Sequence, residues 1–493
     1  MKNRIILTPV LVFLLSGCAW LAPNYERPAL GMPDKWETEK QDEAHGEKIK
    51  DWWKEYRDPV LQKLIEEALA GNDDLSVAAA RVQQAQAQYN YAFGNQFPLL
   101  AATGMASRTK IGFESPVLSD KPGNVGFFGG MLSYELDLWG KLANASKAGK
   151  AVFLAAGHSH DAAKLSVAST TAQLYFTILA LDADIKITQE TIRSREESYQ
   201  LIKKQFEYQA ANELVLRQSE AEMEGTRAQL PKLLEQKEKA ESALAVLLGR
   251  SPKEIMEASI PRGTAIGALP VPPLFPMDAP SGLLERRPDI AASEQALIAS
   301  NFNIGVARAA YFPTISLSSL LGVSHIDVAN LYNGTMRAWS MGATLAGPVL
   351  DFGRTDSGVD MALAKNQELL ASYKNTIRTA FKEVKDSLSS QTHSLNEEAA
   401  QAKEEKAVRE ALRLAKLRYN SGYSSYIEVL DAERNLYSAQ LALIAAKLNR
   451  LNASVSLYKA LGGGWGSDMK GSQSNTASNK IDISADYFEK NAH

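Results

Sequence analysis

The sequence predicts a mixed α and β fold, internally duplicated, in which long coiled-coil helices carry short pairs of β-strands. Three observations predict it. Landmarks recur at a near-constant spacing, two stretches switch from helical period to alternation, and the helical territory between them outruns any compact domain. Composition narrows the function classes. Of 493 residues 45% are apolar, as in a folded chain, and 54 Lys and Arg face 57 Asp and Glu. That balance excludes a basic nucleic-acid binder. A single Cys excludes a disulfide framework and a thiolate metal cluster.

The duplication is read from paired landmarks. Asp74-Leu75 opens a helical stretch that ends at Phe97-Pro98, and Asp289-Ile290 opens one that ends at Phe312-Pro313, so 289 − 74 and 312 − 97 both give 215. Leu136-Asp137-Leu138-Trp139-Gly140-Lys141 meets Leu350-Asp351-Phe352-Gly353-Arg354, with 353 − 140 giving 213. Asn212-Glu213-Leu214 meets Ser425-Tyr426-Ile427, and Leu248-Gly249 meets Leu461-Gly462, again 213 apart. This frame sets a first repeat over 59–250, an inter-repeat linker over 251–281 and a second repeat over 282–464.

Each repeat reads helix, strand pair, then long helices. Phe128, Gly130, Leu132, Tyr134, Leu136 and Leu138 alternate with small or polar residues. So do Ile315, Leu317, Leu321 and Val323, and Trp339, Met341, Ala343, Leu345 and Val349. Period two with one apolar face marks strands wetted on one side only. The 99–108 segment alternates poorly and is read as a strand from its place in the repeat. The pairs are expected near 98–139 and 313–352, with loops at about 111–124 and 325–336. Four tilted strands of this length can cross a membrane but cannot close a barrel, and an open edge in lipid leaves amides without partners. Membrane-spanning strands therefore require several copies to pool them; the alternative at this point is a small soluble β-domain packed on helices.

From Lys141 to about Gln205 there is no Pro, and such a helix extends on the order of 100 Å. Leu363, Leu370, Ile377 and Val384 recur every seven residues, as knobs-into-holes packing requires. Ala432, Ala439, Ala446, Ala453 and Ala460 form a second seven-residue seam, flanked by Leu436, Leu443 and Leu457.

The first 17 residues read as a secretory leader, with Lys2 and Arg4 before a short apolar stretch that is too short for a stop-transfer helix. It ends in Leu15-Ser16-Gly17-Cys18, which resembles a bacterial lipobox whose Cys18 thiol accepts a diacylglyceryl group. Ala19, not Asp, follows, which for such lipoproteins implies the outer membrane. Residues 18–58 are then a lipid-anchored extended segment, and 465–493 a polar, disordered tail. Beyond Cys18 no run of 18 apolar residues occurs.

No phosphate loop, nucleophile elbow, zinc-binding helix or dinucleotide fingerprint stands at a strand-to-helix junction, so an enzyme is not expected. His158 and His160 sit on different helix faces and make no metal site. Gly462-Gly463-Gly464-Trp465 ends a helix and reads as a C-cap. The informative cluster follows Arg418-Tyr419-Asn420-Ser421-Gly422. Glu428, Asp431 and Arg434 stand at i, i+3 and i+6 on one helical face, where the first repeat has Val215, Gln218 and Ala221. They read either as a solvated stripe or, in symmetric copies, as a ring that selects cations and closes a constriction through salt links to Arg434.

The lipobox, the duplicated frame, Arg287-Pro288-Asp289, Ala307-Arg308-Ala309-Ala310-Tyr311-Phe312-Pro313, Arg418-Tyr419-Asn420-Ser421-Gly422, Val429-Leu430-Asp431-Ala432-Glu433-Arg434 and Leu461-Gly462-Gly463-Gly464-Trp465 together resemble the TolC-type outer-membrane efflux family, in its lipoprotein (NodT-like) branch. The resemblance covers about 18–466. It implies a homotrimer in the cell outer membrane, with a 12-stranded transmembrane β-barrel, four strands per chain, and a periplasmic α-helical coiled-coil tunnel. It implies a gate at Glu428, Asp431 and Arg434, and adaptor-contact helix turns at Gln209, Asn212, Gly422 and Ser425. Gln209 departs from the Gly expected at the first turn. The implied function is a passive exit duct for small molecules, opened by a periplasmic adaptor and an inner-membrane resistance-nodulation-division (RND) pump. No metal and no cofactor is implied beyond the covalent lipid on Cys18. Two rival readings share these features: a type I secretion outlet for polypeptides, and a structural lipoprotein without a pore.

Overall fold

The computed structural model describes residues 21–29, 31, 51–109, 122–257, 259–272, 282–328 and 332–463. The leader, Cys18, the expected tail with Trp465 and parts of both strand loops lie outside the described residues.

The elements follow the duplicated frame. A 3₁₀ turn at Trp52–Tyr56 precedes α1 (Pro59–Gly71), α2 (Asp73–Gly94), β1 (Leu99–Thr109), β2 (Gly123–Leu136), α3 (Lys141–Glu207), α4 (Glu213–Arg227) and α5 (Gln229–Leu247). The linker holds α6 (Pro252–Glu257) and a 3₁₀ turn at Ile266–Ala268. The second repeat has α7 (Leu283–Arg286), α8 (Pro288–Ala309), β3 (Thr314–Val328), β4 (Tyr332–Ala346), α9 (Arg354–Asn420) and α10 (Tyr426–Ala460). Helices α2 and α8 are each 22 residues, and α3 and α9 are each 67. The single 35-residue α10 corresponds to α4 plus α5, which part at Ala228. Pro231 explains the break: it has no N–H to donate toward Arg227, and its ring crowds that carbonyl. Ile444 occupies the same place in α10, where the helix runs on.

The repeats also reuse their joints. Asn72 Nδ2 donates to the Leu247 carbonyl at 2.8 Å, and Arg287 Nη1 donates to the Ala460 carbonyl at 2.9 Å. Each is the last carbonyl of its helical arm, which a helix leaves without an internal partner. The next turn needs a left-handed residue, supplied by Gly249 at φ 72° and Gly462 at φ 93°. A Cβ on Gly249 would fall 1.9 Å from the Gly71 carbonyl oxygen, so only glycine fits.

The chain divides into two bodies. One holds the sheet, residues 80–157 and 292–375, and the strap at 21–29. Its four strands are antiparallel in the order β1-β2-β3-β4. Leu100 pairs with Leu132, Phe128 with Val323, and Leu321 with Trp339, so apolar side chains share one face. Phe128, Leu321, Trp339, Met341 and Leu345 are exposed on it. The other face carries Ser107, Ser133, Ser316, Ser318, Ser340 and Thr344. Poorly alternating β1 is a strand because β2 supplies its ladder; its Ala and Gly residues keep the pleat without filling it.

The strap runs antiparallel to α8. Arg308 donates to the Leu21 carbonyl at 3.1 Å, Asn301 to the Pro23 carbonyl at 2.5 Å, and Tyr25 to Glu294 at 3.0 Å. Arg27 grips both oxygens of Glu294 at 2.7 and 2.8 Å. A Cβ on Gly305 would meet Ala22, so the strap seats where α8 has no side chain.

The second body contains the largest core, built around residues from three chain regions. Trp52 stacks on Tyr458 at 5.3 Å, and Tyr56 meets Phe176 at 5.1 Å and donates to Ser454 at 3.0 Å. Buried Asp58 caps α1 through the Val60 and Leu61 amides and also accepts from Tyr175 and the Thr264 amide. The linker joins the same core through Ile260, Ile266 and Leu269. Arg262 holds it to Asp182 at 2.5 Å and to Glu241. The alanine seam packs inward, with Ala439, Ala446, Ala453 and Ala460 buried, as are Ile377 and Val384 of the other heptad. No helix among the described residues is long and apolar enough to cross a membrane.

Candidate functional site

Two helix turns in the second body build the candidate site. Helix α3 ends at Glu207, and Gln209 takes φ 57°; α9 ends at Asn420, and Gly422 takes φ 76°. The Gln209 amide donates to Phe206 O and the Ala210 amide to Gln205 O. The Gly422 amide donates to Tyr419 O and the Tyr423 amide to Arg418 O, each 213 positions on. The turns thus share one conformation, and Gln209 adopts the left-handed state in place of glycine at a cost of about 1 kcal/mol. Asn212 then caps α4, its side chain accepting from the Val215 amide at 3.0 Å. Ser425 starts α10 without a side-chain cap bond.

A small core pins the turns together. Ile202, Leu216, Tyr426, Val429 and Leu430 are buried, with Tyr419 packed against them. Tyr419 stacks obliquely on Tyr426 at 5.3 Å and donates to Gln205 at 3.1 Å, joining α9 to α3. Burial, then the Glu433 carboxylate, pushes the Tyr426 hydroxyl up to about 12. Beyond this core Tyr208, Tyr423, Leu214 and Ile427 are exposed at the turns.

The charges sit one turn farther along. Arg434 Nη1 reaches Asp431 at 3.5 Å, and Glu428 lies 3.9 Å from Arg418 across the second turn. The main partner of Arg434 is Glu222 of α4, bonded through Nε at 3.2 Å and through Nη2. That bond raises the affinity of the guanidinium for its proton. Glu222 in turn receives Arg195 of α3 at 3.0 Å. Arg195 is only 6% exposed and also donates to the Glu222 carbonyl at 2.9 Å and to Thr226, with its guanidinium 5.8 Å from the Tyr437 ring. Lys416 pairs with buried Glu433 at 2.8 Å, tying α9 to α10.

Glu428, Asp431 and Arg434 therefore stand on one exposed face, but the three do not close on one another. Arg434 reaches past Asp431 to the first-repeat arm. Sequence reasoning missed Glu222 and Arg195. Glu222 has no charged counterpart 213 positions on, where Asn435 stands, and its partner is 212 residues away. The exposed Tyr208 and Tyr423 carried a signal, aromatic residues beside a helix turn, that was not used. Among the described residues no group of three or more His, Cys, Asp and Glu could hold a metal ion.

The family described as outer membrane efflux protein matches residues 64–250 and 279–463. The chain is 33% identical over 478 residues to the probable efflux pump outer membrane protein TtgC of Pseudomonas putida, covering 94% of this chain and 96% of that one. It is 34% identical over 465 residues to the cation efflux system protein CusC of Escherichia coli, covering 93% and 98%. The crystal structure of the Campylobacter jejuni CmeC outer membrane channel superposes with a TM-score of 0.83 at 28% identity, covering 94% of this chain and 99% of that one. The duplicated arms, the four-stranded sheet and these matches have one consequence: the chain belongs to the outer membrane efflux protein family.

Proposed function

We propose that three copies of this chain form the outer-membrane exit duct of a tripartite efflux system. The carrying observation is the sheet. Its apolar face is exposed, and its edge strands β1 and β4 have no partner strand among the described residues. In hydrocarbon such edges are tolerated only when a barrel closes on itself. Three four-stranded sheets supply twelve strands, and the Ser- and Thr-bearing face then lines a wet lumen.

The duct moves cargo without transforming it and has no energy source, so an inner-membrane RND pump loads it through a periplasmic adaptor. The adaptor docks on the turns at Gln209, Asn212, Gly422 and Ser425, where exposed Tyr208 and Tyr423 offer apolar area with polar tips. The gate is the charged face of α10. Glu428 and Asp431 ring the axis, and Arg434 latches the second-repeat pair α9 and α10 to α4 through Glu222. Opening breaks that latch and swings α9 and α10 away from α3 and α4; the adaptor favours this by binding the open turns better than the closed ones. The cargo is a small toxic molecule or ion chosen by the pump.

Cys18 carries the lipid anchor. Leu21, three residues on, is held at Arg308, and β3 begins at Thr314. Three residues of chain span roughly 10 Å, so the strap delivers the acyl chains beside the start of the barrel. Purified channel in a planar bilayer tests the proposal: wild type conducts sparsely, and Asp431→Ala with Arg434→Ala raises the leak. A lipid-modified protein that never conducts is a structural lipoprotein instead. A double variant as closed as wild type removes the gate assignment.

A further inference from the structure

The apolar face of the sheet changes character at its distal end, the end that carries the hairpin loops. Alternation assigns that face residue by residue. It runs from Leu100 to Ala106 on β1, from Leu136 back to Gly126 on β2, from Ile315 to Val323 on β3 and from Leu345 back to Trp339 on β4. Every second residue in those runs belongs to this face, and none of them is charged. One position farther out, the face turns basic: Arg108 on β1, His325 on β3 and Arg337 on β4. A guanidinium on a lipid-facing strand is costly at the midplane of a bilayer and nearly free at its surface. From Leu345 to Arg337 is 345 − 337 = 8 steps, about 26 Å of strand. A barrel strand tilted as usual turns that into roughly 20 Å of height, close to a full apolar band. Arg337 therefore stands at the border between the outer leaflet and its headgroups.

Arg337 and His325 share one spot on that border. Val323 pairs with Arg337 and His325 with Thr335, so Arg337 and His325 are diagonal neighbours with Cα atoms about 7–8 Å apart. His325 Nδ1 lies 3.3 Å from the Thr335 hydroxyl. When that hydroxyl donates, Nε2 carries the ring hydrogen and is left to donate outward. Arg337 is exposed and meets no carboxylate among the described residues. Its row mates across the sheet are Val323 and Phe128, and Trp339 follows it on the same face. Phe128, Leu321, Val323 and Trp339 are all exposed on the midplane side of the pair. Two donors at a border, above an uncovered apolar platform, match a molecule with an anionic head and hydrocarbon tails.

We propose that Arg337 and His325 hold a phosphate of an outer-leaflet glycolipid, a lipopolysaccharide, whose acyl chains lie on Phe128, Leu321, Val323 and Trp339. This rests on the shared-barrel reading and adds a lipid to it. The guanidinium presents paired N–H donors that fit phosphate oxygens, and partial loss of water at the border strengthens the contact. The phosphate of a zwitterionic phospholipid is already balanced by its own ammonium, so it competes poorly. Charge complementarity selects the glycolipid, whose phosphates carry no such counter-charge.

The test uses the full-length, lipid-modified channel in detergent, stripped of co-purified lipid and kept in a chelator so that no divalent cation bridges the charges. It is titrated with bisphosphorylated lipid A, dephosphorylated lipid A and phosphatidylethanolamine, and bound lipid is counted by native mass spectrometry. Wild-type trimers should hold the bisphosphorylated form about tenfold more tightly than the other two. Arg337→Gln should lose about that factor and bind all three alike, while Arg337→Lys, which keeps the charge, should retain most of the preference. Asp327 occupies the next register position outward, opposite Asn333, and Asp327→Asn should bind no more weakly than wild type. Trimers that bind the three lipids indifferently overturn the site and leave the shared barrel standing. So does an Arg337→Gln trimer with the wild-type preference, or an equal loss in Asp327→Asn. Wild-type particles of a single copy remove the shared barrel, and this site with it.

Discussion

Replacing Glu222 with Gln is predicted to loosen the gate while leaving the fold intact. The Arg434–Glu222 pair joins α10 to α4, and the arginine is 54% exposed at its side chain. An ion pair so exposed contributes about 0.5–1 kcal/mol after screening. Three copies that open together would lose about 1.5–3 kcal/mol of closure, which raises the open-to-closed ratio roughly 10- to 150-fold. Glutamine keeps an oxygen for Arg195, which also retains the Glu222 carbonyl and Thr226. Alanine instead takes the carboxylate from a buried guanidinium, at about 1.5–3 kcal/mol of stability. Single-channel recording of the purified channel reads the gate, and thermal unfolding reads the fold. Glu222→Gln and Arg434→Ala should leak alike, with near-native unfolding. Both variants closing as tightly as wild type would refute the latch. So would Asp431→Asn alone giving the full leak, since that would make the 3.5 Å contact the one that matters.

Three further outcomes follow from the geometry. Gln209→Gly should raise thermal stability by up to about 1 kcal/mol, because the left-handed turn then carries no Cβ, while Gly422→Val should lower it by more than about 1 kcal/mol and reduce capture of the adaptor. Burial alone raises the Asp184 carboxyl to about 6, and its Oδ1 has no hydrogen-bond partner. A raised carboxyl destabilises the fold: below pH 4 both states hold the proton, between about 4 and 6 only the folded state does, and above 6 the penalty is complete. Asp184→Asn should therefore raise stability at pH 7.5 by about 1–2 kcal/mol, allowing for partial exposure, and change it little at pH 4; an equal gain at both would contradict the assignment. Trp52→Ala should cost about 3–5 kcal/mol by thermal unfolding, since it removes the ring that stacks on Tyr458.

The duplicated frame was legible because its landmarks fall where the backbone has few options. Phe97-Pro98 and Phe312-Pro313 mark helix-to-strand junctions, and Gly249 and Gly462 mark left-handed caps. The strands of the second repeat were legible from alternation, while β1 was not, because Ala, Gly and Thr contribute little contrast between faces. What escaped depends on distant parts of the chain. The strap at 21–29 has no periodicity, and its bonds to α8 span more than 260 residues. Trp52 and Tyr56 precede the first helix and read as part of the extended N-terminal segment until Tyr458 and Phe176 are placed beside them. At the gate, local spacing identified the face of α10, but spacing within one helix cannot reveal that Arg434 reaches a carboxylate on another arm.

With four strands, one copy cannot close its own sheet. Light scattering of the lipid-modified, full-length chain in detergent, with the detergent mass subtracted, tests it most directly. Particles of three chains, insoluble without amphiphile, are expected. A homogeneous single-chain particle that stays dissolved when detergent is withdrawn would contradict it.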